Sequence, residues 1–122
     1  RVTPLRQYES VMLDRDRLND LYVQLGQHAA EDVVCRALEE MAARLGYIDK
    51  SYHAADWDNL RKNARGLGAI ADQLGASMLA KVARDVKNCA EKGDPTAMAA
   101  TIARLMRVGE SALTEVWDIQ EI

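Results

Sequence analysis

Apolar positions along the chain recur at steps of three and four, and no stretch alternates at period two for long enough to predict a strand. Leu18, Leu21, Tyr22 and Leu25 follow Asp16 in one such stripe, which Gly26 ends, and they predict a short helix. Val34, Ala37, Leu38, Met41, Ala42, Leu45 and Ile48 predict a longer helix over 30–52, with Glu31, Arg36, Glu39, Glu40 and Arg44 on its other side. Gly46 weakens that pattern locally. Trp57, Leu60, Ala64, Leu67, Ala71 and Leu74 alternate steps of three and four between Asp56 and Gly75, the seam of a bundle helix. Leu79, Val82, Ala83, Val86, Cys89 and Ala90 give a fourth helix over 76–91, with Gly93 as its C-cap. Asp94-Pro95 is the sharpest boundary. Asp is a favoured N-cap, and Pro at the first helical position gives up no hydrogen bond. Met98, Ile102, Leu105, Ala112 and Val116 then carry a fifth helix to Trp117.

Turns this short predict antiparallel neighbours. The expected fold is all-α, an antiparallel up-and-down four-helix bundle with a short additional N-terminal helix. One domain is expected over 1–122, with 1–13 as a tail or lead-in.

The totals narrow the class further. A chain of 122 residues fits one domain and can bury a core without disulfides or a structural metal. It has no Phe and two Trp, so Leu, Ala, Val, Ile and Met must fill that core. A net charge of −3 is too even for a nucleic-acid or membrane surface. No apolar run approaches the roughly 20 residues that span a bilayer, and Arg1-Val2-Thr3-Pro4 does not resemble a secretory signal. A cytoplasmic protein is expected. Cys35 and Cys89 sit inside helical patterns with no second cysteine nearby, which reads as two buried free thiols in a reducing compartment.

Candidate chemistry is sparse. His28 falls near the start of the second helix and His53 in the turn before the third, both expected as solvated loop residues outside any helix-borne metal site. Phosphate-cradling glycine loops and nucleophile elbows are lacking. Asp56 and Asp58 flank Trp57 and read as first-turn acids that favour the helix dipole. No cofactor, metal or enzymatic activity is expected from these residues.

The third helix is the exception. It runs Leu60-Arg61-Lys62-Asn63-Ala64-Arg65-Gly66-Leu67-Gly68-Ala69 and carries two interior glycines, each of which costs about 1 kcal/mol relative to alanine. With the apolar seam inward, Arg61, Arg65, Gly68 and Asp72 fall on the opposite side, and Gly68 with Ala69 leaves a side-chain-poor patch beside Arg65. Two accounts stand side by side. Either neighbouring helices hold a glycine-bearing helix in place, or the small residues let an external backbone approach.

This segment resembles the signature of the histidine phosphotransfer (Hpt) domain, roughly His-x-Leu-Lys-Gly followed by a Leu-Gly pair. Aligning Leu67, Ala71 and Leu74-Gly75 places Arg65 on the phosphorylatable histidine, Gly68 on the usual lysine and Ala69 on the usual glycine. Leu13-Asp14-Arg15-Asp16-Arg17-Leu18 looks like the family's opening helix, and Ala55-Asp56-Trp57-Asp58-Asn59-Leu60 like the run into the motif. Ala90-Glu91-Lys92-Gly93-Asp94 looks like its last inter-helix turn, so the likeness spans about Leu13 to Leu113.

The resemblance implies a two-component phosphorelay module whose partner is a response-regulator receiver domain or a histidine kinase. Its departures imply lost chemistry. An arginine stays protonated and is not nucleophilic near neutral pH, so Arg65 cannot accept a phosphoryl group. The expected partner-binding residues are Arg61, Lys62, Arg65, Gly68, Ala69 and Asp72. One alternative is phosphotransfer through His53 or His28. Another is a structural bundle that acts by self-association through Met98, Met106 and Trp117; the chain itself is expected to be a monomer or weak homo-oligomer.

Overall fold

The computed structural model describes residues 13–121. Residues 1–12, where a tail or lead-in was expected, lie outside the described part. Five helices follow one another: α1 (Arg15–Leu25), α2 (Gln27–His53), α3 (Trp57–Gln73), α4 (Ser77–Lys92) and α5 (Pro95–Glu121). Among the described residues, extended pairing is confined to an isolated bridge between Leu13 and Ala76.

Each start and stop has a local chemical cause. The first backbone N–H groups of a helix have no intrahelical acceptor, so a side-chain oxygen before them is stabilising. Asp14 accepts from the N–H groups of Asp16 and Arg17 at 3.1 and 3.3 Å. Asp56 accepts from Asn59 N–H at 3.3 Å. Asp94 accepts from Thr96 and Ala97 at 3.1 and 3.2 Å. At the other end of α4, Gly93 takes the left-handed conformation (φ 70°, ψ 32°) and its N–H donates to the Cys89 carbonyl at 3.0 Å.

Helix α2 begins at Gln27, earlier than the apolar stripe predicts, because a single residue separates it from α1. Gly26 donates to Tyr22 of α1 at 2.9 Å, and its carbonyl accepts from Ala30 of α2 at 3.0 Å. The apolar pattern begins a turn later, with Ala30 and Val34 buried.

Helix α2 packs against α3, α3 against α4, α4 against α5, and α5 against α2, so four helices close around one core. Met41, Ile48, Leu60, Leu67, Leu79, Leu105 and Val116 are among its fully buried side chains. Helix α1 lies on α2 and contributes Leu18. Its start is clasped to the α3–α4 turn, where Asp14 N–H donates to the Gly75 carbonyl at 2.7 Å. No helix among the described residues is long and apolar enough to cross a membrane.

Several predicted burials differ. Ala42 is exposed, because the buried row of α2 (Val34, Leu38, Met41, Leu45, Ile48) is narrower than the stripe. Trp57 begins α3 and keeps 42% of its surface exposed. Cys35 is exposed on α2, one residue beyond buried Val34, and Cys89 is half-buried with its Sγ 3.7 Å from Thr101 Oγ1. His53 is the last residue of α2, not part of the turn.

Two glycines give opposite predictions for the same substitution. Gly46 lies mid-α2 with nothing within 4 Å of an added Cβ. Gly46→Ala should therefore raise stability by about 0.5–1 kcal/mol, read as a higher urea midpoint. Gly75 has φ +77°, and its Cβ would sit 2.5 Å from the Asp14 carbonyl oxygen. Gly75→Ala should lower stability by about 2 kcal/mol or more, through left-handed strain and loss of the clasp.

Candidate functional site

The outward face of α3 follows from its inward one. Leu60, Ala64, Leu67 and Ala71 are buried, which turns Asp58, Lys62, Arg65, Ala69 and Asp72 to the surface. Arg61 is half-buried on the flank toward α4.

The interior glycines are occupied by the fold itself. Gly68 is buried, and a Cβ there would meet Ala83 Cβ at 3.7 Å and the Ala80 carbonyl oxygen at 3.8 Å. The expectation of an open patch at Gly68 is therefore corrected: Gly68 lies among small residues against α4 and is not a surface residue. Gly66 is covered by the Arg44 guanidinium of α2, which an added Cβ would displace. Arg44 is held there by Glu40 at 3.2 Å and Asn63 Oδ1 at 3.4 Å. Of the two small residues in the expected patch, Ala69 alone is exposed.

Arg65 opens onto a shallow hollow of about 320 Å³ between α3 and α4. Every side chain lining it is charged: Asp58, Arg61, Lys62 and Arg65 from α3, and Lys87 and Glu91 from α4. Arg61 is paired with Asp58, and Lys87 lies 3.6 Å from Glu91. Both acids are thus matched, while Lys62 and Arg65 make no ion pair with any described residue. The hollow carries a positive excess concentrated on those two side chains. A guanidinium presents its donors as a fixed fork that fits two oxygens of a carboxylate or phosphoryl group.

Asp72, also expected at the surface, sits farther along α3 and faces Arg84 of α4 at 3.5 Å. Both partners are more than half exposed, so this pair adds little stability. The single-helix reading missed Lys87 and Glu91. Their i, i+4 spacing on α4 was visible, but which neighbouring helix they face is a tertiary fact.

Neither histidine approaches this hollow. His28 is exposed in the first turn of α2. His53 is solvent-exposed as expected, but it lies on helix α2 and not in a loop, and it has a carboxylate one turn back. Its Nδ1 lies 2.8 Å from the Asp49 carbonyl and 3.5 Å from the Asp49 carboxylate, one helical turn back. No group of three or more His, Cys, Asp or Glu among the described residues is arranged to hold a metal ion. Of the apolar residues considered for self-association, Met98 is in the core, Met106 is half-buried and Trp117 is 52% exposed.

Comparison of the chain with family models, curated proteins and solved structures finds no match.

An exposed cation without a partner contributes little to folding. Arg65→Ala and Arg65→Glu should each leave the urea unfolding midpoint within about 0.5 kcal/mol of the parent. A larger loss would show that Arg65 has a structural role on α3.

Proposed function

We propose that the chain is an Hpt-like phosphorelay module that binds a receiver domain, or a histidine kinase, without accepting a phosphoryl group itself. In this reading the ring of α2 to α5 is an antiparallel up-and-down four-helix bundle, and α1 is its additional N-terminal helix. The observation that carries the proposal is Arg65. It is exposed and free of ion pairs on the outward face of α3, where the resemblance puts the reactive histidine, and it opens onto a hollow lined only by charged groups.

The chemistry of arginine decides between binding and transfer. A phosphoryl acceptor needs a nucleophilic lone pair, and the guanidinium offers five N–H donors and no basic nitrogen near neutral pH. The same donors suit an acidic surface such as the aspartate-rich pocket of a receiver domain. Lys62 adds to the local field, and Arg61 and Lys87 do so less, since each already faces an acid. Gly68 has no direct part in this surface, because it is buried.

Phosphotransfer through His53 is the second reading. Its side chain is largely exposed and its Nδ1 is engaged by Asp49, which leaves Nε2 without a hydrogen bond to any described residue.

One experiment separates these readings. The purified chain is incubated with a phosphorylated receiver, and both label transfer and complex formation are followed. The expected result is a complex with no transfer, weakened by salt and weakened at least tenfold, about 1.4 kcal/mol, by Arg65→Glu. Label that moves to the chain and is lost in His53→Ala would replace binding with transfer. No complex with receivers or kinases, or an affinity untouched by Arg65→Glu, would overturn the proposal.

A further inference from the structure

A second hollow, of about 420 Å³, opens where the C-terminal ends of α2 and α4 meet the N-terminal ends of α3 and α5. That volume is within the range of small-ligand sites. Tyr52, His53 and Trp57 line one side, and Asp94, Pro95 and Met98 line the other. None of these residues lines the hollow beside Arg65.

The rings are inclined to one another, not stacked. Tyr52 and His53 meet edge to face with centroids 5.4 Å apart, and Tyr52 and Trp57 lie 6.4 Å apart at 59°. An edge-to-face pair sets the positive edge of one ring against the negative face of the other, so one face is used by the neighbour and the opposite face keeps its partial negative charge. Trp57 leaves much of its surface uncovered here, although burial in the core is the commoner fate of a large apolar ring.

The charge on the lining points the same way. No lysine or arginine lines the hollow, and its one carboxylate is Asp94. That carboxylate caps α5 through Oδ1 alone, and no described residue donates to its second oxygen. Aromatic faces beside a carboxylate favour an organic cation. A methylated ammonium suits the lining better than a primary one. It has no N–H groups to satisfy and spreads its charge over methyl groups that pack on rings. Met98 and Pro95 supply apolar contact for the rest of such a molecule.

We infer that this hollow is a binding site for a small quaternary ammonium head group, held against Trp57 and Tyr52 and neutralised by Asp94. The inference is independent of the phosphorelay proposal and shares no residue with it, apart from the alternative role of His53.

The test is an NMR titration of the 122-residue chain with choline. It follows the Trp57 indole N–H, assigned with Trp117→Phe. The reference ligand is the neutral alcohol in which a tert-butyl group replaces the trimethylammonium head. Choline should give a saturable shift and bind at least about fivefold more tightly than the alcohol. Asp94→Asn keeps a capping oxygen but removes the charge, so it should weaken choline several-fold and leave the alcohol unchanged. Trp57→Leu, followed through the backbone amides of Gly93 and Met98 in place of the lost indole, should abolish the choline response with the helical circular dichroism intact. No saturable shift, equal affinity for the neutral alcohol, or choline binding indifferent to both substitutions in folded protein would overturn the inference. Co-sedimentation with phosphatidylcholine vesicles would assign the head group to a lipid. Choline binding without co-sedimentation would assign it to a free metabolite. Either result upholds the site.

Discussion

The close approach of α3 to α4 is the constraint on which the rest of the molecule depends. Gly68 of α3 faces Ala80 and Ala83 of α4, Ala64 and Ala71 lie one turn to either side of Gly68 on α3, and all five are buried. Small residues let two helix backbones draw together, and dense packing then fixes their register. That register brings Lys87 and Glu91 alongside Arg61, Lys62 and Arg65. The charged hollow is thus a product of alanines and a glycine that never touch it. The roughly 1 kcal/mol that Gly68 gives up in helix propensity is offset by this contact.

Two surfaces of contrasting chemistry meet around the first turn of α3. Trp57 belongs to the aromatic hollow and Asp58, its neighbour in sequence, to the charged one. Asp58 is paired with Arg61, which moderates the positive excess closest to the rings. Away from that pair, Arg65 and Lys62 hold the uncompensated charge. A surface of this kind steers partners and sets orientation more than it supplies raw affinity. The apolar rings are suited to the reverse, since they offer contact area with little long-range field. Both depend on helix ends or faces whose geometry is set by the buried core, and neither requires α1.

Much of this was legible in the chain, and the residues show why the rest was not. Asp56 and Asp94 announce helix starts because capping is local chemistry, complete within four residues, whereas α1 is capped by Asp14, two residues before the Asp16 that precedes its stripe. Gly93 announces a stop for the same reason. The boundary at Gly26 was harder, because one residue ends α1 and begins α2 before any apolar side chain recurs. Periodicity finds the inward face of a helix but not its width or the identity of its neighbour. Hence Ala42 and Cys35 were placed inward, Gly68 was placed outward, and Lys87 and Glu91 were missed. The covering of Gly66 by Arg44 was beyond reach too, since it joins α2 and α3 through a side chain that the pattern put on the polar face of α2. The charged and aromatic hollows each draw on more than one helix, so no one-dimensional pattern displays them.

The clasp between Asp14 and Gly75 bears on the order in which the molecule assembles. Contacts between α3 and α4 are close in sequence and need only a short turn to form, so the entropy of closing that loop is small. The Asp14–Gly75 hydrogen bond joins positions far apart in the chain and has no acceptor geometry until the α3–α4 turn exists. Helix α1 is short, contributes Leu18 alone to the buried set, and rests mainly on α2. With so little of it buried, it is the element expected to open first in the native ensemble. Amide exchange along α1 is accordingly a gauge of how complete the hairpin beneath it has become.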